Sequence, residues 1–364
     1  MNSKERVLKA FKREEPDRIP VFSSLTDPVA EKLSKKLDVS PHSIDAFLSS
    51  EISHSELLLE LGNDAICIGP EYPDSTPPQE IAPDLVKDEW GIVYKKVDMY
   101  EEMVERPLGN IDSTEELNEF EFPSADAPGR FSSAQYYADE YGQNYALIGN
   151  IQVTMFEMAW YLLGLEKFLK DLAAKKDYIF TLLDTIKEYK WNCAKKLIDI
   201  GVDILWTGDD FGTQNGMLIS PDLWREVFKS RYRDLFKKIK TKNSDVIIAY
   251  HSCGSIRPII RDLVEIGLEV LHPIQPKATD MNLLELKKEF GSELAFFGGI
   301  DIQELLPYAN PSEISAEVKK CIWASGKGGG YMVAPAHNIQ PDTPLKNIYS
   351  MYESVKKYGS YPIR

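Results

Sequence analysis

Long apolar runs are missing from this 364-residue chain. None approaches the roughly 18 residues that a membrane-spanning helix needs. The opening MNSKERVLKAFKREEPDRIP lacks the apolar centre of a secretory signal, so the expectation is a cytoplasmic protein. Excess positive charge is missing too. Lys and Arg number 42 against 57 Asp and Glu, a net charge of −15, which argues against nucleic acid and anionic membrane as partners because both select basic surface. Cysteine is scarce: Cys67, Cys193, Cys253 and Cys321 do not make a disulfide framework in a chain this long and read as buried thiols or metal ligands. A Gly-rich phosphate turn after the first strand is also absent, since the glycines of 326–330 precede a strand. That counts against an open dinucleotide-binding sheet.

What the chain does contain is a recurring unit, a short apolar run ending in small or polar residues and then a helical pattern. The runs are 19–23, 64–69, 145–150, 202–209, 246–251, 268–275, 294–301 and 330–335. Near-continuous apolar runs are the mark of parallel strands buried on both faces. Helical periodicity fills most of the gaps: two consecutive helices within 165–200, then 221–240 with Ser220 as N-cap and Pro221 in first position, 256–266, 282–290, 311–324 and 344–358. Eight alternations predict a closed (β/α)₈ barrel, the TIM-barrel fold, with 1–364 as a single domain. Residues 70–144 break the rhythm. Rich in Pro, Asp and Glu, with an alternating stretch at 88–96 that reads as a small hairpin strand, they are expected to form an insertion near the barrel mouth, either a lid or a peripheral decoration.

Barrel enzymes work at the C-terminal ends of their strands. Here those ends carry Asn150, Asp209, Asp210, His251, Cys253, His272, Gln275, Asp301 and His337. His42 and His54 fall in helical surface segments and are expected to be solvated. The sharpest local signal is His251-Ser252-Cys253-Gly254. Residues two apart in extended chain point the same way, so His251 and Cys253 can share one ion, and Gly254 permits the turn that follows. His337, in Ala334-Pro335-Ala336-His337, is the expected third ligand. Two imidazoles and a thiolate make a zinc site with an open fourth position. Cys321 competes for that place, but it lies on the buried face of a helical pattern. The alternative for the His251–Cys253 pair is plain packing. Asp209 and Asp210 are candidates for general base, cation anchor or substrate orienter, against one N-cap and one solvated acid. Asn150, Gln275 and Asp301 are candidates for substrate hydrogen bonds, against structural turn roles. Glu157 can enter the mouth, with a helix-surface carboxylate as the default.

The chain resembles the uroporphyrinogen decarboxylase superfamily, whose members are single (β/α)₈ barrels. The resemblance rests on Arg6 to Phe11, Pro16 to Pro20, Trp90-Gly91, Gly208 to Gly212, Ile219-Ser220-Pro221, His251 to Gly254, Gly298 to Asp301, and Pro341 to Ile348. Decarboxylases of that superfamily carry arginines for their substrate's carboxylates in the segment matching Val21 to Leu25, which has none here, so decarboxylation is not the expectation. The corrinoid-linked methyltransferases share His-x-Cys after one strand and a third zinc ligand after the last. In their coenzyme M branch that ligand is Cys, where this chain has His337. Imidazole for thiolate leaves zinc more positive and favours polarising an oxygen. The resemblance therefore implies a zinc-dependent O-demethylase component. It would pass the methyl group of a small O-methylated compound, such as a phenyl methyl ether, to a corrinoid on a separate partner protein. Methyl transfer from a methylcorrinoid to a thiol and a metal-free binding barrel are the competing expectations.

Overall fold

The computed structural model describes residues 1–42, 53–97 and 100–363, with the backbone alone at Tyr100. Among these, seven strands form one curled parallel sheet: β1 (Ala65–Ile68), β6 (Ala146–Asn150), β7 (Ile204–Gly208), β8 (Ile247–His251), β9 (Val270–Ile274), β10 (Ala295–Ile300) and β11 (Tyr331–Pro335), each beside the next. A second sheet lies within the expected insertion and is antiparallel: β2 (Gln79–Ala82), β3 (Leu85–Lys87), β4 (Val93–Val97) and β5 (Tyr100–Glu105).

The first apolar run, 19–23, takes the eighth place in the barrel without forming a regular strand. On one edge Phe22 N–H donates to Val333 O and Val333 N–H to Pro20 O, both at 3.0 Å. On the other edge side chains do most of the pairing. Asp64 Oδ2 accepts from Val21 N–H at 2.9 Å, and Asn63 Oδ1 accepts from Ser23 N–H at 3.0 Å. Pro20 has no N–H to give a ladder, and Asn63 and Asp64 supply what the backbone of β1 does not. Arg6 and Arg18 both bind the same Asp64 (2.6 and 2.8 Å), and Arg6 also pairs with Asp17. The charged N-terminal motif is thus a latch that closes the barrel.

The result is a (β/α)₈ barrel. Its lumen holds Phe22, Ala65, Cys67, Ala146, Ile148, Ile204, Trp206, Ile247, Ala249, Val270, Ala295, Phe297, Met332 and Ala334, with Val7 and Phe11 of the helix Ser3–Phe11 in the same cluster. These positions recur every second residue along each strand. The alternate strand residues, among them Ile66, Leu147, Leu205, Ile248, Leu271 and Phe296, join the larger core beneath the surrounding helices. The expected helices are present as Leu165–Ala173, Asp177–Ile200, Leu283–Phe290, Pro311–Ser325 and Leu345–Tyr358. Ser220 accepts from Leu223 N–H and Pro221 opens the next helix, but that helix carries a π-type turn at Arg225–Lys229 before continuing as Ser230–Lys242. The stretch 256–266 divides into a 3₁₀ turn, Arg257–Ile259, and a short helix, Ile260–Glu265.

Two local expectations fail. The predicted strand over 88–96 is interrupted, because the Asp88 carboxylate accepts from Trp90 and Ile92 N–H (2.9 and 2.8 Å) and folds 88–92 into a turn between β3 and β4. His54 is not solvated: it is 2% exposed, and its Nε2 lies 2.9 Å from Asp27 Oδ1. His42 is exposed as expected. Among the described residues, no helix is long and apolar enough to cross a membrane.

Candidate metal centre

The lumen alternation Ile247, Ala249 carries on to His251 at the C-terminal end of β8, and Cys253 lies two residues further on. Close approach of backbones sets this corner. Gly208, paired with His251 across β7 and β8, has φ +138°, and a Cβ there would stand 2.0 Å from His251 O. Gly254 has φ +74°, and a Cβ there would stand 2.5 Å from Gly212 C, so the loops after β7 and β8 press on each other.

Among the described residues, Asp210, His251 and Cys253 bring a carboxylate oxygen, an imidazole nitrogen and a thiol sulfur within 4.8 Å of one another. His251 Nε2 lies 3.3 Å from Asp210 Oδ1 and 3.6 Å from Cys253 Sγ. Asp210 Oδ1 accepts from Cys253 N–H at 2.7 Å. His337 stands beside this group, its ring centroid 6.4 Å from that of His251, but it is not one of the mutually close donors. Its Nδ1 accepts from Asn338 N–H at 2.8 Å. Ligation through Nδ1 would therefore require His337 to give up that hydrogen bond. Cys321 is buried in the helix Pro311–Ser325, with its thiol 3.6 Å from Gly299 O.

The two aspartates divide. Asp209 is fully buried, and its oxygens accept from Met155 N–H, Glu157 N–H and Tyr232 Oη–H. It clamps the loop after β6 to the end of β7 and has no face toward the mouth. Asp210 keeps 36% of its side chain exposed. Gln275 bridges two site loops, with Oε1 accepting from Gly254 N–H at 2.8 Å and Nε2 donating to Ala336 O at 3.4 Å. Asn150 Oδ1 accepts from Gln152 N–H, and Asp301 accepts from Gln303, Glu304 and Leu305 N–H, capping a turn.

Two residues that the sequence named near the mouth without assigning a role lie beside this cluster. Glu157 is 8% exposed rather than a helix-surface acid. Its Oε2 accepts from Asp210 N–H at 2.9 Å, and Tyr161 Oη donates to its Oε1 at 3.3 Å. His272 is 4% exposed, pairs with His251 across β8 and β9, and places Nδ1 3.0 Å from His251 Nδ1. Lumen alternation from Val270 was the signal for His272. Glu157 takes the alternative raised for it, entering the mouth, rather than the default of a helix-surface carboxylate.

Charge follows this geometry. Burial works against an imidazolium at His251, but Cys253 and Asp210 outweigh it and hold the ring well above its ordinary pKa. Burial likewise resists charge on Asp210, yet the hydrogen bond and charge of His251 keep its carboxyl low. Burial pushes the Cys253 thiol up, opposed by His251. Glu157, buried beside Asp210 and Asp209, is driven well above the carboxylate range. Burial, then the charges of His251 and His337, hold His272 well below its ordinary value. A divalent cation bound here would displace the proton from the ligating nitrogen of His251 and from the Cys253 thiol, because both must offer a lone pair.

Comparison with known proteins places this geometry in a family. Residues 93–358 match the family model described as uroporphyrinogen decarboxylase (URO-D). The chain is 25% identical over 231 residues to the methylcobamide:CoM methyltransferase MtaA of Methanosarcina barkeri, a match that spans 64% of this chain and 64% of that relative's length. It is 22% identical over 189 residues to a uroporphyrinogen decarboxylase of Coxiella burnetii, across 52% of this chain and 50% of that one. In fold, a solved methyltransferase from Methanosarcina mazei superposes with a TM-score of 0.72 at 21% identity, covering 98% of this chain and 99% of that one. With the family model matched across most of its length, the chain belongs to the uroporphyrinogen decarboxylase family.

Proposed function

We propose that this chain transfers a methyl group between a small O-methylated molecule and a corrinoid carried by a separate protein. The observation that carries the reading is the convergence of His251, Cys253 and Asp210 at the end of β8, with His337 alongside. Imidazole, thiol and carboxylate donors suit zinc by softness and number. His251 and Cys253 would hold the ion, and His337 would complete the set. Zinc bound there would act as a Lewis acid toward the ether oxygen.

The chain's own residues account for the remaining work. In the transfer, the methyl carbon–oxygen bond breaks with its electron pair left on oxygen. The pair for the new bond to carbon would come from the partner's reduced corrinoid, and the oxygen would take up a proton. Asp210 faces the mouth and is placed to orient substrate or relay that proton. Asp209, though expected to share this task, fits a positioning role through the loop 155–157. Gln275 fixes the His251–Cys253 loop against the His337 loop, while Asn150 and Asp301 border the mouth as candidate substrate contacts. We also propose the β2–β5 sheet as a lid.

A second reading, methyl transfer to a thiol, is favoured by the likeness to the methylcobamide:CoM methyltransferase and, at 19% identity, to a methylated-thiol–coenzyme M methyltransferase of Methanosarcina mazei. Assays with methoxylated aromatics and with free thiols, each with a corrinoid protein, separate the two. The first test is metal content after purification without added zinc. About one zinc per chain is expected in the unmodified protein, and much less in Cys253→Ala and His337→Ala. Loss in Asp210→Asn with retention in His337→Ala would make the carboxylate the third ligand. An unmodified protein that neither carries zinc nor binds it when supplied would end the methyltransferase reading in favour of a metal-free binding barrel.

A further inference from the structure

His272 has no place in the chemistry above, yet it is buried in the barrel lumen against a proposed ligand. Its ring lies 4.4 Å, centroid to centroid, from both Trp206 and Phe297, and its backbone carbonyl accepts from Ser252 N–H at 2.9 Å. Any flat apolar ring would satisfy those neighbours. What an apolar ring would not supply is the contact between His272 Nδ1 and His251 Nδ1 at 3.0 Å.

Two ring nitrogens at that distance share one proton, so one ring donates and the other accepts. The direction is decided on the far side of His251. Its Nε2 faces Cys253 Sγ and Asp210 Oδ1 at 3.6 and 3.3 Å and is the only nitrogen of that ring able to reach a shared ion. A nitrogen that ligates must offer a lone pair, which leaves the proton on Nδ1. His251 must then donate, and His272 must accept and carry its own proton on Nε2. We propose that His272 is a positioning residue that fixes the ligating tautomer of His251 by accepting its Nδ1 proton; the inference rests on the metal reading of His251 and Cys253.

The acceptor's identity has a consequence. Metal-bound histidines commonly donate to a carboxylate, a carbonyl or water. A carboxylate would add a negative charge behind the ligand and make it a stronger donor. A neutral imidazole fixes the same tautomer without that charge and leaves the ion more electrophilic. That is the direction polarising an oxygen requires.

The test reads zinc affinity by competition with a chelator, alongside the thermal unfolding of the metal-free protein. His272→Phe and His272→Leu keep an apolar filling between Trp206 and Phe297 but remove the acceptor. Zinc affinity is expected to fall about 10- to 100-fold in both. His272→Asn sets an amide oxygen where Nδ1 stood and is expected to restore most of the loss. Unchanged affinity in Phe and Leu variants that fold, or an Asn variant as weak as they are, overturns the inference and leaves the metal reading standing. No zinc uptake by the unmodified protein removes both. Nitrogen-15 NMR of the zinc-loaded unmodified protein tests the same point without a substitution. It should show His251 protonated on Nδ1 and His272 on Nε2, and the reverse assignment overturns the proposal.

Discussion

At the scale of single residues, the site depends on positions where a side chain is absent. Gly208 and Gly201 both hold positive φ, +138° and +105°, but a Cβ at Gly208 would collide with the His251 backbone, whereas nothing lies within 4 Å of one at Gly201. Gly201→Ala should therefore cost only the strained conformation, about 1 kcal/mol. Gly208→Ala must also push β7 from β8, costing more than about 2 kcal/mol and, on the proposed metal reading, weakening zinc uptake. Urea unfolding of the two variants checks the contrast, and equal losses would show that the β7–β8 contact is not what constrains the site. Part of this centre was legible in the sequence. His251 and Cys253 share a side because extended chain alternates, and the same rule points to His272. The carboxylate partners were harder to read. Asp209 and Asp210 are adjacent and chemically identical, and only the third dimension turns one toward Met155, Glu157 and Tyr232 and the other toward His251. Glu157 looks like any acid in the first turn of a helix until Asp210 N–H is seen to end on it.

At the scale of elements, the barrel was readable because parallel strands and their helices announce themselves through periodicity. The exceptions have local causes. Pro20 and the side chains of Asn63 and Asp64 replace a ladder, and Asp88 folds a turn into an alternating stretch. Side-chain pairing between neighbouring elements left no such trace. Asp171 lies in the last turn of the helix Leu165–Ala173 and accepts from Lys167 (2.7 Å) and from Tyr178 in the next helix, with Lys176 at 3.0 Å. Burial resists its charge, but these partners pull the carboxyl down to about 2. Its side chain is only 4% exposed, but Lys167 and Lys176 keep 25% and 35% exposed, so solvent screens part of the pairing. A carboxyl whose folded pKa is depressed stabilises fully above its unfolded value near 3.8, and that stability is lost as pH falls through the folded value. Asp171→Asn should accordingly lose about 2 kcal/mol at pH 7. The gap from the unmodified protein should narrow steadily as pH falls from about 4 toward 2. Urea titrations at pH 7 and at pH 3 measure it, and a constant gap would mean that the carboxylate's charge is not what Asp171 contributes.

At the scale of the molecule, the β2–β5 sheet meets the barrel at one end and leaves apolar side chains uncovered elsewhere. Trp90 is fully buried, edge-on to Tyr189 of the helix Asp177–Ile200 at 4.9 Å between centroids, and Tyr94 Oη donates to Asp88. Ile81, Val97 and Val104 stay 49%, 38% and 43% exposed. An anchored sheet with exposed apolar groups gains burial by folding over a ligand, which is how a lid excludes water from a reacting centre. Closer to the site, Tyr161 donates to Glu157, whose other oxygen holds Asp210 N–H. On the proposed function and lid, hydrogen exchange in 79–97 and 100–105 should slow when a methoxylated substrate and a corrinoid protein are both bound. Replacing Ile81, Val97 and Val104 together by Ser should raise KM or lower kcat while lowering the melting temperature only modestly, because those side chains are already 38–49% exposed before closure. Exchange unchanged by ligand, with kinetics unchanged in the triple variant, would make the sheet a peripheral decoration and leave the barrel's own loops to exclude water.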